Sequence, residues 1–343
     1  MLAYQSKFAA HVRIISDLAA DPLVLEVAHQ GVALAVVGGR LATDLLDVTD
    51  DLKLLRQTIH EFVEKEVAPV ARKYDEEEAV PYPVLKKAAD LGFFGIPFPE
   101  EYGGSDMGIT GYCILMEEVN RHDASIGTII GASVQLAAMT IMLSGNEDQK
   151  QRYLVPLVEG TKIGAWCLTE PNAGSDAAHI ETTARRDGNE YVINGAKRWI
   201  GLGHLADVVV VWARDLDNDG QIAGFLVEKG TPGFEAHLMA GKMALRALGN
   251  ADLTFTDVRI PAENRLGGSK SFRETGTVLT LTRYGVACAA LGNAMACYEA
   301  ALAYATRREQ FGKPIAGHQL IQQKLVWMLT EITGMQLMCW RLG

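Results

Sequence analysis

The chain has 343 residues with 32 basic against 42 acidic side chains, a formal net charge of −10. This length allows two or three packed units at roughly 100–200 residues each. The acidic balance, with no basic stretch, argues against a nucleic-acid partner and leaves a small or moderate-sized ligand as the default. Five scattered cysteines (Cys113, Cys167, Cys288, Cys297, Cys339) form no CxxC and no disulfide ladder, so a reducing and hence cytoplasmic setting is expected. The eight histidines are dispersed and there is no HExxH, so no metal site is expected. The longest apolar run, VALAVVGG at 32–39, is far short of a bilayer span, and the protein is expected to be soluble.

Residues 1–48 contain Asp17, Asp21 and Glu26, which fits neither a secretory signal nor an acid-poor transit peptide; a helical or partly ordered extension is expected. From Asp51 to about Lys73 the apolar residues Leu52, Leu55, Ile59, Phe62, Val63 and Val67 recur at steps of three and four, which predicts one amphipathic helix. Further helices are predicted at about 82–91, 109–121 and 124–143, with turn chemistry in PFPEEYGGSDMG at 97–108. Asn146 followed by Gln149 is a capping signal for another helix.

Between 166 and 265 the period changes to two. EYVING breaks at Asn194-Gly195, DVVVVWARD (207–215) is β-branched, DNDG (217–220) is a turn, and GFLVEKG and ADLTFTDVRIP follow. A small antiparallel β-domain is predicted. Helical periodicity returns after about 271 and is interrupted at FGKPIAG. The fold class is therefore α+β, in four segments: the extension 1–48, a helical domain 49–165, a β-domain 166–270 and a C-terminal helical bundle 271–343. The last helix has no stop signal before Gly343, so a further C-terminal part is expected.

Taken alone, most candidate residues have ordinary readings. GGSD (103–106) and AGSD (173–176) are turn chemistry. In WCLTEPNAGSD (166–176) a strand-like start runs into Pro171 and Gly174-Ser175, exposing amides and hydroxyls that suit an anion or a polar heterocycle. Ser175 lacks the GxSxG frame of a nucleophile elbow. Trp199 reads first as a core aromatic, and Arg307 and Arg308 as a solvated helix end. Arg283, in an otherwise apolar helix, calls for an acid partner or an anionic ligand.

In order, PEEYGG, GNEDQKQRYL, WCLTEPNAGSD, NGAKRWIG, VEKGTPGF, RREQFGKP and HQLIQQKL resemble the acyl-CoA dehydrogenase and oxidase flavoprotein family from about Asp50 onward. The wording around KRWIG and MCWRLG is most similar to the short-chain peroxisomal acyl-CoA oxidase branch and its bacterial dehydrogenase relatives, with glutaryl-CoA dehydrogenase as a cousin. The resemblance implies FAD and an α,β-dehydrogenation of short or medium acyl-CoA to the trans-2-enoyl-CoA. It implies that Trp166, Leu168 and Thr169 lie along the flavin ring, that Ser175 reaches the pyrophosphate and the substrate region, and that Trp199, Ile200 and Gly201 border the ring. Arg308, Phe311 and Gln319 match positions that hold the FAD of a neighbouring subunit, implying a dimer or tetramer, and Arg283 matches a residue of the CoA region. The electron acceptor implied is an electron-transfer flavoprotein or oxygen.

Three departures matter. The family's glutamate base is not found at Thr282, its place in a minority branch, and Glu299 reads as a surface or paired acid, so the base is expected beyond Gly343. Gly201 stands where many dehydrogenases carry a hydroxyl near flavin N5, which tilts toward oxygen reactivity. Gly127 stands where the glutaryl branch carries an arginine, which favours a neutral acyl chain. The competing readings are a catalytically incomplete flavin or CoA binder with a structural role, and a flavin monooxygenase on the same scaffold.

Overall fold

The computed structural model describes residues 49–343, so the expected N-terminal extension lies outside the described residues. Two compact units make up the described chain: residues 50–293 with 342–343, and residues 294–341.

The first unit begins with α1 (Asp50–Phe62), whose Ile59 and Phe62 are buried, and which widens into a π-helical turn at Val63–Val67. The single helix predicted to Lys73 is broken here: Pro69 lacks an N–H, and a second helix, α2 (Ala71–Glu77), restarts beyond it. Next come α3 (Tyr82–Asp90), α4 (Gly108–Asn120) and α5 (Ala124–Ser144), close to their predicted spans. Asp123 caps α5 by accepting from the Ile126 N–H at 2.9 Å. The capping signal holds as well: Asn146 and Gln149 exchange side-chain-to-backbone bonds of 2.9 Å each at the start of the helical run 147–158. Arg56 ties α1 to α4 through Glu117 at 2.7 Å and Glu118 at 2.5 Å, and both carboxylates are buried.

The sheet contains β1 (Gly164–Cys167), β2 (Thr183–Asp187), β3 (Glu190–Gly201), β4 (Val208–Asp215), β5 (Gln221–Glu228), β6 (Phe234–Leu238) and β7 (Asn250–Pro261). It is mixed rather than purely antiparallel, which corrects the predicted β-domain: β1 and β2 both run parallel to β4, at Gly164–Cys167 against Val208–Val211 and at Thr183–Ala184 against Arg214–Asp215. The other edge of β4 is taken along its whole length by β5. β1 and β2 thus occupy one edge of β4 in tandem, and residues 168–182 form an excursion between two halves of what is in effect one interrupted strand.

The break predicted at Asn194-Gly195 is also absent. β3 continues through it with a bulge against β7, because Gly195 takes φ +150° and a Cβ there would lie 2.4 Å from Thr182 Oγ1. The turn at 217–220 and strands β5 and β7 are as predicted.

α7 (Phe272–Ala305) starts in the first unit and continues into the second. Its early part packs closely on α4 and α5. A Cβ at Gly292 would meet the Glu117 carbonyl oxygen at 2.2 Å, one at Gly285 would meet Gln135 Oε1 at 2.2 Å, and Cys288 Sγ lies 3.0 Å from Cys113 Sγ. The second unit adds the two-residue strands β8 (Glu309–Gln310) and β9 (Lys313–Pro314), then α8 (Gln319–Leu342). Here α6 denotes residues 147–158.

Reading only unbroken apolar runs missed one property. α5 and α7 are each long and apolar enough to cross a membrane by length and composition, with mean hydropathy 1.8 and 1.4 over their best windows. Gly, Ser, Thr and single polar residues interrupt the runs but leave the window means apolar. Two thirds of the α5 window is buried inside the protein, as in the core helix of a water-soluble domain.

Gly292→Ala is expected to destabilise by about 1–3 kcal/mol, because the added methyl meets backbone. Gly276→Ala, on the same helix with open space around it, is expected to stabilise by up to ~1 kcal/mol. Urea denaturation midpoints check both.

Candidate active site

The excursion that leaves β1 is WCLTEPNAGSD, and its first turn is fastened from inside. Glu170 is 5% exposed. Its carboxylate accepts from the backbone N–H groups of Glu181 at 2.5 Å and Thr182 at 3.0 Å, where the chain re-enters the sheet, and from Lys197 Nζ at 2.7 Å. Lys197, on β3 and also buried, donates to the Leu168 carbonyl at 3.1 Å. The Arg198 N–H donates to the Thr169 carbonyl at 2.8 Å. One carboxylate and one ammonium therefore close the loop's two ends and bind it to β3.

Burial alone would raise the Glu170 carboxyl, but the Lys197 ammonium and the amide donors outweigh it and hold the group below the usual carboxylate range. Burial lowers the Lys197 ammonium, and Glu170 offsets this only in part. Burial pushes the Cys167 thiol up to about 12, so this cysteine inside the motif is no thiolate nucleophile.

The residue after Arg198 contradicts the core reading of its side chain. Trp199 sits at a second bulge of β3, between Lys197 and Ile200, with φ +62°, and its indole is 55% exposed. The Arg198 guanidinium lies 5.3 Å from its ring centroid. A tryptophan in a left-handed conformation with its ring in solvent is costly twice over. Ile200 is buried and anchors the strand on the far side of the bulge. Gly201 leaves room: a Cβ there would be 3.6 Å from Leu248 and 4.0 Å from Asn250 Nδ2.

Trp166 is half-buried and donates to Thr140 Oγ1 of α5 at 3.0 Å. Leu168 is buried, Thr169 half-buried, and Ser175 exposed in the open part of the loop, where Gly174 has nothing near its Cβ position. Trp166, Leu168 and Thr169 thus lie on β1 and the first turn of the loop, and Trp199, Ile200 and Gly201 on β3; the Arg198-to-Thr169 bond joins the two segments, and Ser175 lies further out in the exposed part of the loop.

Arg283 is exposed on α7: the helix is apolar in composition, but this face is open in the single chain. Glu299 is also exposed, and the Thr282 hydroxyl bonds back to the Leu279 carbonyl at 3.1 Å. In the second unit Arg308 and Gln319 are exposed. Phe311 stands 95% exposed at the tip of the β8–β9 hairpin, where Phe311 and Gly312 both take positive φ, +55° and +76°.

Sequence reasoning gave no role to Glu170, Lys197 or Asn250. A signal existed for the first two, since a lysine in a strand otherwise rich in buried positions needs an acid, and a glutamate sits in the neighbouring motif.

A clamped loop beside an exposed aromatic plane has the chemistry to hold a planar heterocyclic ligand. The acyl-CoA dehydrogenase N-terminal, middle and C-terminal domain models match residues 49–161, 165–258 and 272–343. A probable acyl-CoA dehydrogenase of Bacillus subtilis is 41% identical over 83% of this chain and 76% of its own length. The solved butyryl-CoA dehydrogenase of Megasphaera elsdenii is 38% identical, with a TM-score of 0.80 over 84% of this chain and 77% of its own. A glutaryl-CoA dehydrogenase of Mycobacterium smegmatis, solved with FADH2, is 33% identical, with a TM-score of 0.83 over 86% of this chain and 76% of its own. The chain belongs to the acyl-CoA dehydrogenase family. All three relatives are named as dehydrogenases, so the leaning toward the peroxisomal oxidase branch is not what they support.

Lys197→Met leaves the Glu170 charge buried without its cation and is expected to cost about 3–5 kcal/mol; adding Glu170→Gln is expected to recover part of that loss. Denaturant melts of the two variants against wild type check it. The sign with pH follows from the lowered Glu170 pKa. The stabilisation from its ionised form is complete above the unfolded carboxyl value of about 4.3 and is lost as pH falls through the lower folded value. Wild type is therefore expected to lose stability more steeply than Glu170→Gln below about pH 4, as thermal melts across a pH series would read.

Proposed function

We propose that this protein is an FAD-dependent acyl-CoA dehydrogenase that introduces a trans α,β double bond into short, neutral acyl-CoA thioesters. The observation that carries the proposal is the strained, solvent-facing Trp199 fastened beside Leu168 and Thr169, which fits the face and edge of a flavin. Thr169 and the amides around it would meet the polar edge of the ring, Trp199 its face, and Ser175 the pyrophosphate. When bound, FAD supplies the acceptor for the hydride that leaves the β-carbon. The protein's share is to orient the thioester, keep water from the reacting atoms and hold the anionic parts of its ligands, with exposed Arg283 serving the CoA region. Arg308, Phe311 and Gln319, exposed in the single chain, would reach the cofactor of a second copy, which makes the working form a homodimer or homotetramer. Five free thiols support a reducing, cytoplasmic setting.

Chain identity of the substrate follows from Gly127. This residue is buried in α5, and a Cβ there would lie 2.2 Å from Asn120 Nδ2, so the Asn120 side chain already fills the space an arginine would need. A distal carboxylate would find no cation at that position, which favours butyryl-CoA and similar chains over glutaryl-CoA. Gly127→Arg is expected to destabilise the protein without conferring turnover of glutaryl-CoA.

Purified protein is expected to bind FAD and, where the expected glutamate base is present, the bound flavin to bleach anaerobically with butyryl-CoA faster than with octanoyl-CoA or glutaryl-CoA. Failure to bind FAD would overturn the proposal, and bleaching by glutaryl-CoA alone would overturn the substrate class. The acceptor is an electron-transfer flavoprotein or oxygen, and Gly201 offers the test. A Cβ there makes only ordinary contacts, so a larger residue at this position begins without a clash. If open space beside the flavin admits oxygen, Gly201→Thr is expected to slow aerobic reoxidation of the reduced enzyme in stopped flow.

A further inference from the structure

Trp199 is held in an unfavourable backbone conformation, and the chain around it shows how. Its carbonyl accepts a hydrogen bond from Asn250 Nδ2 at 3.0 Å. Asn250 Oδ1 accepts from Lys242 Nζ at 2.6 Å. The same ammonium donates to the Leu245 carbonyl at 2.7 Å and to the Leu248 carbonyl. An ammonium has three N–H donors and no acceptor, so all three protons of Lys242 are committed.

This fixes the amide of Asn250. A lysine can face only the oxygen end of the side chain, so the NH2 end must point the other way, at the Trp199 carbonyl. Asn250 sits at the start of β7, opposite Gly201, where the Leu202 N–H also donates to the Gly249 carbonyl at 2.7 Å. On the near side the backbone is gripped by the Arg198-to-Thr169 bond. Between these two grips it is Trp199 that takes the positive φ, +62°.

We propose that Asn250, oriented by Lys242, is a positioning residue for the cofactor platform: it holds the Trp199 carbonyl so that the indole faces the space where the flavin ring binds. The inference rests on the flavin reading above, but the device itself is a property of the protein without its cofactor.

The test uses Asn250→Ala, Asn250→Asp and Lys242→Met in the full chain. Aspartate still accepts from Lys242 but has no donor for the Trp199 carbonyl, so it separates the two halves of the relay. In cofactor-free protein the near-UV circular dichroism of Trp199, assigned by difference from Trp199→Phe, is expected to be reduced in all three variants. The FAD dissociation constant is expected to rise about tenfold, the consequence of one lost hydrogen bond, while the melting temperature of Asn250→Asp changes little. An Asn250→Asp protein with the wild-type Trp199 signal and FAD affinity would overturn the proposal. So would a loss of affinity that tracks a general loss of folding with the Trp199 signal intact. If wild type binds no FAD, the flavin reading fails, and the dichroism of the three variants still decides whether Asn250 positions the indole.

Discussion

The site depends on one buried contact, the bond between Glu170 and Lys197. A carboxylate and an ammonium inside a sheet are each expensive to bury, and each has several hydrogen-bonding positions to fill. Glu170 fills its own with two backbone amides from the far end of the loop, and Lys197 adds the Leu168 carbonyl. The pair does more than cancel charge. It defines how far the loop can open, because the two ends of a fifteen-residue excursion, roughly 168 to 182, meet at one side chain.

From that contact outward the structure runs in a short causal line. Lys197 must point inward, so the strand carrying it is in register up to that residue. The next three residues are then required to pass from a buried lysine to a buried isoleucine with an exposed indole between them. A regular strand alternates sides and cannot do this, and the bulge supplies the extra residue. Trp199 takes the left-handed conformation that results, and the ring is displayed rather than packed.

Much of the architecture was legible in the sequence because it follows from local chemistry. Asn146 and Gln149 cap a helix by themselves, and DNDG turns a hairpin whatever surrounds it. What failed was local chemistry overridden by tertiary packing. Asn194-Gly195 has the composition of a turn, but Thr182 lies against it and uses the glycine for close approach instead. Strands β1 and β2 are far apart along the chain from their shared neighbour β4, so no short-range pattern could reveal that they run parallel to it. Trp199 was assigned a core role on composition, since exposure of an aromatic residue depends on a bulge that is invisible without the partner strand. The flavin-facing role came only from the family resemblance, as did those of Arg308, Phe311 and Gln319.

The tandem arrangement of β1 and β2 along β4 has a consequence for how such a protein can change. Because the sheet's hydrogen bonding resumes on the same edge after the excursion, residues 171–179 contribute almost nothing to strand register. Ala173 is still tied in, buried and exchanging backbone hydrogen bonds with Glu170, and the Ala178 carbonyl accepts from Arg214 of β4, so the stretch that stands clear of the scaffold is the exposed 174–176. In that short exposed stretch, side chains can face a ligand without any of them also having to hold the sheet together.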